Sequence, residues 1–547
     1  MYFVFVWHYG MNTLKGDDWV FVPLVDVAQH GHLTLGILWA QYNESHMLIP
    51  KLLWIIFGLT THTDTKIIML FDALLFTASY AFLLVVYRRT AGSWLGPIQV
   101  IVVGLVWFSL ADWENALWGF QMAWYLSLLF FMAMLLVLSR REITRLGLTA
   151  AVVFAAAASL CTVQGLLVWP VGLLCILWRV EGRGRWISLG GPWVAGGVAT
   201  ASVYFWQYNS HTAAGGAGVG ASIFEPATVI EYLLAEVGNV FPGNYSVALH
   251  AWVGFALLSA AAGVLIASWY QRKYLVGPPP LPLPVALIAF ALLFDLSVAV
   301  ARLSFGLSSA LWPRYTMANL LLILGIVLFL VPRLPRRLDA VRISLSPYGF
   351  VACVILIALL LTQIATSAKY GIDSARADSA SQSVGARIAT NLSRVVPASA
   401  RPELVTTYLY PSYGDFLVIA AIARQDQLGE FIPESYRHYR ALGPPEKSVQ
   451  IALAVVRQTL GAWCKLAPGD TRPQVYDQLG SPHGEEFAPW ARGLAKAGYL
   501  TNRYAEWDVG NDVLIADFKN GRAMTLQAFA AQIPNRATDT PCSATRS

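Results

Sequence analysis

The chain has 547 residues, of which 56% are hydrophobic and only 13% charged, and its formal net charge is +6. Soluble domains carry about 25% charged residues, so this is the composition of a membrane protein. The basic residues stand in short clusters between apolar runs, which favours topology signals over a nucleic-acid partner. The sequence contains neither a P-loop nor a dinucleotide fingerprint and so gives no support for nucleotide-driven transport.

The first apolar run, residues 1–10, is shorter than the roughly 20 residues that a membrane-spanning helix needs. It also lacks the basic start and small-residue cleavage site of a secretory signal peptide. We therefore expect it to be the outer part of a first span whose beginning precedes the given sequence.

The stretch that follows, residues 15–50, is unusually rich in ionisable groups for a membrane protein, and Asp17 and Asp18 stand side by side in it. A carboxylate at the membrane surface can act as general base toward a sugar hydroxyl. A neighbouring carboxylate can tune the pKa of that base or help to hold a divalent metal ion. The alternative is a solvated turn, because Gly-Asp-Asp is also ordinary turn chemistry.

Apolar runs of spanning length then recur along the chain. With the first short run they predict about eleven transmembrane helices. The runs are 67–87, 95–110, 117–138, 146–160, 163–178, 187–206, 247–270, 281–301, 315–331 and 348–366.

The connections between these runs alternate in basic charge. Alternate loops carry fourteen Arg and Lys residues, whereas the intervening loops carry five. By the positive-inside rule the Arg-rich loops are cytoplasmic. The acidic pair, and the loop of residues 14–66 that contains it, are then expected on the outer side.

Sorted by predicted side, the remaining polar residues suggest one extracytoplasmic site. Arg302 and Arg314 lie at the outer ends of late spans, where the planar guanidinium group suits a lipid phosphate; an ion pair or snorkelling explains them equally well. Tyr315 adjoins Arg314. Asp295, within a span, is either functional or a structural hydrogen-bond partner. The candidates for lining the substrate or acceptor cavity are Asn43, Glu44, His46, Asp112, Glu114, Asn115 and Gln164.

From Lys369 onward the composition becomes polar, and the length suits one soluble domain. An odd number of spans from a cytoplasmic N-terminus places this domain outside the cell membrane. In that oxidising compartment Cys464 and Cys542 can form a disulfide, although two free thiols remain an alternative. Residues 448–460 read as helix and 513–518 as a short strand, which predicts mixed α/β structure.

In its acidic pair after the first span, its late arginines and its outer C-terminal domain, the chain resembles the GT-C superfamily of integral-membrane glycosyltransferases. The resemblance implies an α-helical polytopic bundle over residues 1–368 and an extracytoplasmic α/β domain over 369–547. It also implies inverting transfer of a sugar from a polyprenyl-phosphate donor to a glycan, lipid or protein acceptor. Asp17 or Asp18 would be the catalytic base, with Arg302, Arg314 and Tyr315 at the donor phosphate.

Two alternatives stay open at this point. A polymerase or ligase of lipid-linked glycans would rely on arginines and a long late loop rather than on an early acidic pair. A transporter or flippase would place its key charges in mid-span, where Asp295 is the main residue of that kind. Several histidines and carboxylates in the first loop are compatible with a divalent metal ion, but their spacing matches no specific metal motif.

Overall fold

The computed structural model describes residues 2–180, 182–208, 226–243, 245–274, 279–303, 306–330, 347–479, 484–485, 503–509, 512–519 and 522–530. The basic residues at 333–342 that entered the topology prediction, and Cys542, lie outside these ranges. The described part is helical up to residue 479, and a sheet follows.

The first half of the chain alternates long apolar helices with short helices in the connections. The helices are α1 (Tyr2–Tyr9), α2 (Val22–Gln29), α3 (Leu35–Trp39), α4 (Leu48–Thr61), α5 (Thr65–Ala91), α6 (Pro97–Trp107), α7 (Trp113–Ala116), α8 (Met122–Leu138), α9 (Arg145–Ser159), α10 (Val168–Arg179) and α11 (Arg183–Tyr204).

The second half continues with helices and ends in four strands. They are α12 (Pro226–Gly238), α13 (Val247–Lys273), α14 (Leu283–Arg302), α15 (Thr316–Leu330), α16 (Pro347–Asn391), α17 (Arg401–Tyr408), α18 (Tyr413–Gln425), α19 (Pro433–Leu442), α20 (Glu446–Trp463), α21 (Arg472–Leu479), β1 (Gly484–Glu485), β2 (Arg503–Val509), β3 (Asp512–Lys519) and β4 (Arg522–Ala530).

Within the described ranges, six helical stretches are long and apolar enough to cross a membrane, which confirms a helical membrane protein. Three further apolar helices, including α4 and α9, are shorter. The count of eleven spans stays a prediction. The six stretches are Thr65–Ala91, Pro97–Ala116, Gly119–Leu138, Val247–Lys273, Leu283–Arg302 and Pro313–Leu330.

The described chain divides into two compact units. The first consists of Met1–Gly10, Thr34–Leu53 and Ile68–Ala377, and the second of Met11–Leu33, Trp54–Ile67 and Asp378–Ser547. The residues of the predicted first outer loop are thus shared between the units, and the predicted domain boundary at residue 368 falls within α16.

In the first unit, two glycines allow α12 and α13 to approach each other closely. A Cβ atom on Gly254 would lie 1.8 Å from the backbone oxygen of Leu234, and one on Gly238 would lie 1.9 Å from the oxygen of His250. Small residues at such crossings let helix backbones pack tightly inside a membrane, where dispersion contacts replace the hydrophobic effect as the driving force. These two glycines therefore set the spacing of the helix pair.

The centre of the first unit is formed by α8, α14 and α15, whose side chains are mostly buried. Phe131 of α8 and Phe290 of α14 stack with their ring centroids 4.4 Å apart. Elsewhere on α8, the hydroxyl of Tyr125 is hydrogen-bonded to that of Tyr2, at 2.8 Å. This hydrogen bond anchors α1 to α8, so the position at which α1 ends is fixed.

In the second unit, the segment that carries the acidic pair packs on a helix from the C-terminal part. Trp19 is fully buried, and its ring meets that of Phe416 of α18 edge-on, with centroids 4.9 Å apart. Phe21 stacks on Trp54 at 4.6 Å. These aromatic contacts, of a kind that contributes about 0.5–1.5 kcal/mol beyond area burial, fix the backbone around residues 17 and 18.

The C-terminal strands form an antiparallel sheet in the order β1-β2-β3-β4. Its core joins Trp507, Leu514 and Ala523 to Val456 and Trp463 of α20. The helix predicted over residues 448–460 lies within α20, and the strand predicted over 513–518 lies within β3. Cys464, just after α20, is disulfide-bonded.

Candidate functional site

The acidic pair lies in a short 3-10 helix, Gly16–Phe21, of the second unit. Gly16 has a φ of +51°, a conformation that side-chain-bearing residues rarely adopt. The carboxylate of Asp18 accepts a hydrogen bond from the backbone N–H of Lys15 through Oδ2, at 3.1 Å. Asp18 is only 1% exposed. Its carboxylate thus closes the start of this helix, in the manner of a helix cap.

Asp17 occupies a more accessible position than Asp18. It is half-buried, and its carboxylate lies close enough to Tyr410 to affect that phenol. Burial, together with the charges of Asp415 and Asp17, raises the pKa of Tyr410 to about 12. Tyr410 therefore stays protonated at neutral pH and retains an O–H that can donate to a neighbouring carboxylate.

The residues preceding the pair are tied to the end of α16 by polar contacts. Lys15 forms an ion pair with Asp378, with 2.7 Å between Nζ and Oδ1, and Asp378 also accepts a hydrogen bond from Gln382 at 2.7 Å. The hydroxyl of Thr13 donates to the side-chain oxygen of Gln382 at 2.8 Å. Because these bonds are partly buried, they hold the acidic segment firmly against α16.

Glu430, which the sequence did not single out, contacts the same segment just before the acidic pair. Its side chain is fully buried and accepts a hydrogen bond from the backbone N–H of Leu14 at 3.0 Å. Burial raises the pKa of Glu430 to about 7. No local pattern around residues 429–431 signals this role, since the bond spans most of the chain.

In the first unit, five of the predicted site residues form a continuous chain of polar contacts. The carboxylate of Glu44 pairs with the guanidinium group of Arg302. Arg302 is hydrogen-bonded to the Tyr315 side chain, which is in turn bonded to Arg314. Arg314 lies 4.0 Å from Glu114, measured from Nη1 to Oε1. We call Glu44, Arg302, Tyr315, Arg314 and Glu114 the arginine network.

Two further predicted residues attach to this network. The side-chain amide of Asn115 donates to Asp112 at 2.5 Å and to the backbone oxygen of Arg314 at 2.8 Å. The guanidinium of Arg314 also lies over the ring of Trp312, 4.1 Å from its centroid, in a cation–π arrangement. Arg314 is therefore held from two directions, by an acidic loop and by an aromatic ring.

Glu44 lies in a tight turn between Tyr42 and Ser45, where Asn43 adopts a φ of +48°. Asparagine tolerates this left-handed conformation better than most residues. The backbone oxygen of Glu44 accepts hydrogen bonds from Tyr204 and Tyr208, at 3.2 and 3.3 Å. These two tyrosines, which the sequence did not single out, position the turn that carries Glu44.

His46 has both ring nitrogens at hydrogen-bonding distance from backbone carbonyl oxygens, that of Trp39 at 2.6 Å and that of Tyr204 at 2.9 Å. Its ring also stacks on Trp39. With both nitrogens engaged, His46 joins the turn to α11 and is not arranged as a metal ligand. Gln164 accepts a hydrogen bond from Thr162 within its own turn, at 2.6 Å.

A cavity of about 370 Å³ with a mostly apolar lining lies in the first unit. It is formed by side chains of α1, α5, α6 and α16. Ser109, close in sequence to Asp112, is one of its polar lining residues. The lining includes Phe3, Thr77, Ile101, Leu105, Phe108 and Ile364.

Asp295 of α14 is buried together with Glu236 of α12. Both side chains are fully buried, and their carboxyl groups interact electrostatically. Within the described part of the chain, none of their four carboxyl oxygens has a hydrogen-bond partner. Asn319 donates to the backbone oxygen of Glu236, at 3.0 Å.

The predicted residues thus fall into two groups, each defined within its own unit. Asp17 and Asp18 belong to the second unit, and the arginine network belongs to the first. Comparisons with family models, with curated proteins and with solved structures found no match for this chain.

Proposed function

We propose that this protein is a membrane glycosyltransferase of the GT-C type, which transfers a sugar from a polyprenyl-phosphate donor to a glycan, lipid or protein acceptor. The observation that carries the proposal is the difference in environment between Asp17 and Asp18. Asp18 is buried and bonded to the backbone, whereas Asp17 is half-buried on a segment that aromatic and ionic contacts hold in place. A carboxylate on a rigid support is what general-base catalysis needs.

In the proposed reaction Asp17 accepts the proton of an acceptor hydroxyl as its oxygen attacks the anomeric carbon of the donor sugar. The bond between that carbon and the phosphate oxygen breaks, and its electron pair leaves with the polyprenyl phosphate. The attack proceeds with inversion. Asp18 would act by positioning, since its carboxylate already accepts the N–H of Lys15.

The arginine network supplies the candidates for donor phosphate binding, namely Arg302, Arg314 and Tyr315. Arginine forks match phosphate oxygens with two parallel hydrogen bonds. The side chains of Arg302 and Arg314 are 17% and 23% exposed, so each keeps some accessible surface. Glu44 and Glu114 would hold the two forks in orientation and balance their charge before a phosphate arrives.

The apolar cavity near α1 and α6 offers a place for the polyprenyl chain of the donor. A branched hydrocarbon gains free energy from such a lining in proportion to the apolar area that it buries. The residues Asn43, His46, Asp112, Asn115 and Gln164 remain candidates for the acceptor side. Most of them already make internal hydrogen bonds, so we assign them to shaping the acceptor site rather than to direct contact with the acceptor. The proposal leaves room for a divalent metal ion.

The proposed setting is a cell membrane crossed by about eleven helices, with the acidic pair and the C-terminal α/β domain on the outer side. The disulfide at Cys464 supports this placement, because disulfides persist in oxidising compartments. Non-reducing mass spectrometry of peptides is expected to pair Cys464 with Cys542.

The experiment that tests the proposal is sugar transfer by the purified full chain in lipid nanodiscs, from a panel of radiolabelled polyprenyl-phosphate sugars. We expect transfer from at least one donor. Arg302→Ala and Arg314→Ala should weaken donor affinity, whereas Arg376→Ala, at an exposed arginine of α16, should not. Unchanged donor affinity in both Arg302→Ala and Arg314→Ala would contradict the assignment of these arginines to the donor phosphate. If no donor of the panel supports sugar transfer, the proposed glycosyltransferase activity is contradicted.

A second candidate, a flippase or transporter, is favoured by one observation. Glu236 and Asp295 are buried carboxyl groups without described hydrogen-bond partners, and intramembrane carboxylates commonly mark proton or ion pathways. Movement of a fluorescent lipid-linked sugar across proteoliposomes tests it. Under this alternative Asp295→Asn abolishes movement, whereas Asp17→Asn does not.

A further inference from the structure

A third cluster of ionisable side chains lies in the second unit, apart from the residues used above. Asp26, His30 and Asp426 each offer one ligand atom, and these three atoms lie within 4.8 Å of one another. Two of the residues come from the first loop and one from the C-terminal part. The cluster therefore joins segments that are distant in sequence but packed together in one unit.

The two residues of the first loop are placed by α2. Asp26 lies in the last turns of this helix, and His30 directly follows its end. Nδ1 of His30 lies 2.9 Å from the backbone oxygen of Asp26 and 3.1 Å from its Oδ1. The four-residue spacing puts both side chains on one face of the helical turn.

Asp426 directly follows α18 and faces Asp26. The two carboxyl groups lie within hydrogen-bonding distance of each other. One oxygen of Asp426, Oδ2, is buried and has no hydrogen-bond partner within the described ranges. Two carboxylates at this separation repel each other unless a proton or a cation lies between them, so the arrangement favours a bound proton or cation.

We propose that Asp26, His30 and Asp426 bind one divalent transition-metal ion, with Zn²⁺ as its representative. A histidine nitrogen beside two carboxylate oxygens favours Zn²⁺ over Mg²⁺ or Ca²⁺, which prefer oxygen ligands alone. His30 is half exposed, so water can complete the coordination of the ion. The site shares no residue with the arginine network, and metal binding there is independent of whether the protein transfers a sugar.

The bound ion would link two packed helices, α2 and α18. α2 begins directly after the 3-10 helix that carries Asp17 and Asp18, and α18 carries Phe416, on which Trp19 packs. Metal ligands from both segments would add a polar link to this apolar contact. Binding energy would then appear as stability of the acidic segment, since the ion binds the folded arrangement alone.

The test uses the purified full chain in detergent after removal of metal with a chelator. Isothermal titration with ZnCl₂, and thermal unfolding with and without Zn²⁺, are measured for the wild type and for His30→Gln and Asp426→Asn. Loss of even an outer-shell partner weakens metal binding by about 10- to 100-fold. We therefore expect one ion per wild-type chain, a rise in melting temperature on its addition, and at least tenfold weaker binding in each variant.

His32→Gln is the matched control, because His32 is an exposed histidine of the same loop outside the cluster. It should bind Zn²⁺ like the wild type. Hydrogen exchange should show slower exchange of residues 16–29 when Zn²⁺ is present, in the wild type and in the control. Equal Zn²⁺ binding by His30→Gln and the wild type, or no stoichiometric binding at all, would overturn the proposal. A proton shared between Asp26 and Asp426 would then explain the cluster.

Discussion

Glu44 pairs with Arg302 across 258 positions of sequence, and both side chains are less than one-fifth exposed. The pair joins a tight turn of the first loop to the end of α14. Removing one partner of a partly shielded ion pair costs more than removing one on an open surface, because less water is available to compensate the charge that remains.

Glu44→Gln is predicted to destabilise the protein, because it removes the negative partner and leaves the guanidinium of Arg302 with less compensation. The expected cost is about 1–3 kcal/mol, read as a lower melting temperature in detergent. Glu434→Gln, the same change at an exposed position of α19, should leave the melting temperature unchanged. If both variants have the melting temperature of the wild type, the ion pair makes no measurable contribution to stability.

The close approach of α12 and α13 predicts a sharp difference between two glycines of one helix. Gly254→Ala would place a methyl group 1.8 Å from the oxygen of Leu234, so the helices must separate. A cost of about 1–3 kcal/mol is expected for such overpacking. Gly263→Ala, with nothing within 4 Å of the added atom, should be neutral or slightly stabilising. Similar melting temperatures for the two variants would contradict this account of the packing.

The buried carboxyl of Glu430 predicts a pH dependence of stability. Its pKa is raised from 4.5 to about 7 in the folded state, so the folded protein binds the proton more tightly than the unfolded chain does. Stability from this group is therefore present below about pH 4.5 and is lost as the pH rises through 7. The shift corresponds to at most about 3 kcal/mol.

Glu430→Gln removes this titration, and the comparison with wild type isolates it from other groups. We expect the two proteins to melt at similar temperatures near pH 5, and the variant to become the more stable one above pH 7. The measurement is thermal unfolding from pH 5 to 9. If the plots of melting temperature against pH for the two proteins stay parallel across this range, Glu430 does not titrate as its burial implies.

The sequence predicted the positions of the apolar helices well, because long apolar runs in lipid have few alternatives to helix. The predicted run 187–206 overlaps α11, and the strand predicted at 513–518 lies in β3. The charge bias of the loops also predicted that Glu44 and Arg302 lie on the same side of the membrane. The specific pairings were beyond reach, since the approach of Glu44 to Arg302, or of Asp426 to Asp26, depends on tertiary packing that leaves no local pattern.

The difference between Asp17 and Asp18 is a second feature that the sequence left almost open. Both residues have the same side chain and adjacent positions, so the sequence left either of them as the candidate base. Burial separates them, because the 3-10 helix turns Asp18 inward toward the N–H of Lys15 and leaves Asp17 half-buried. Neighbouring identical residues thus acquire different environments once the segment is folded and packed.

The central claim is that Asp17 is the base of a sugar-transfer reaction, and the most direct test is the transfer rate of Asp17→Asn in nanodiscs with a productive donor. A positioned general base typically contributes about 10²- to 10⁴-fold, so a loss of kcat in that range is predicted. The variant should keep the wild-type melting temperature, and Asp373→Asn, at an exposed carboxylate of α16, should keep full activity. Full activity in Asp17→Asn would contradict the account, whatever the activity of Asp18→Asn.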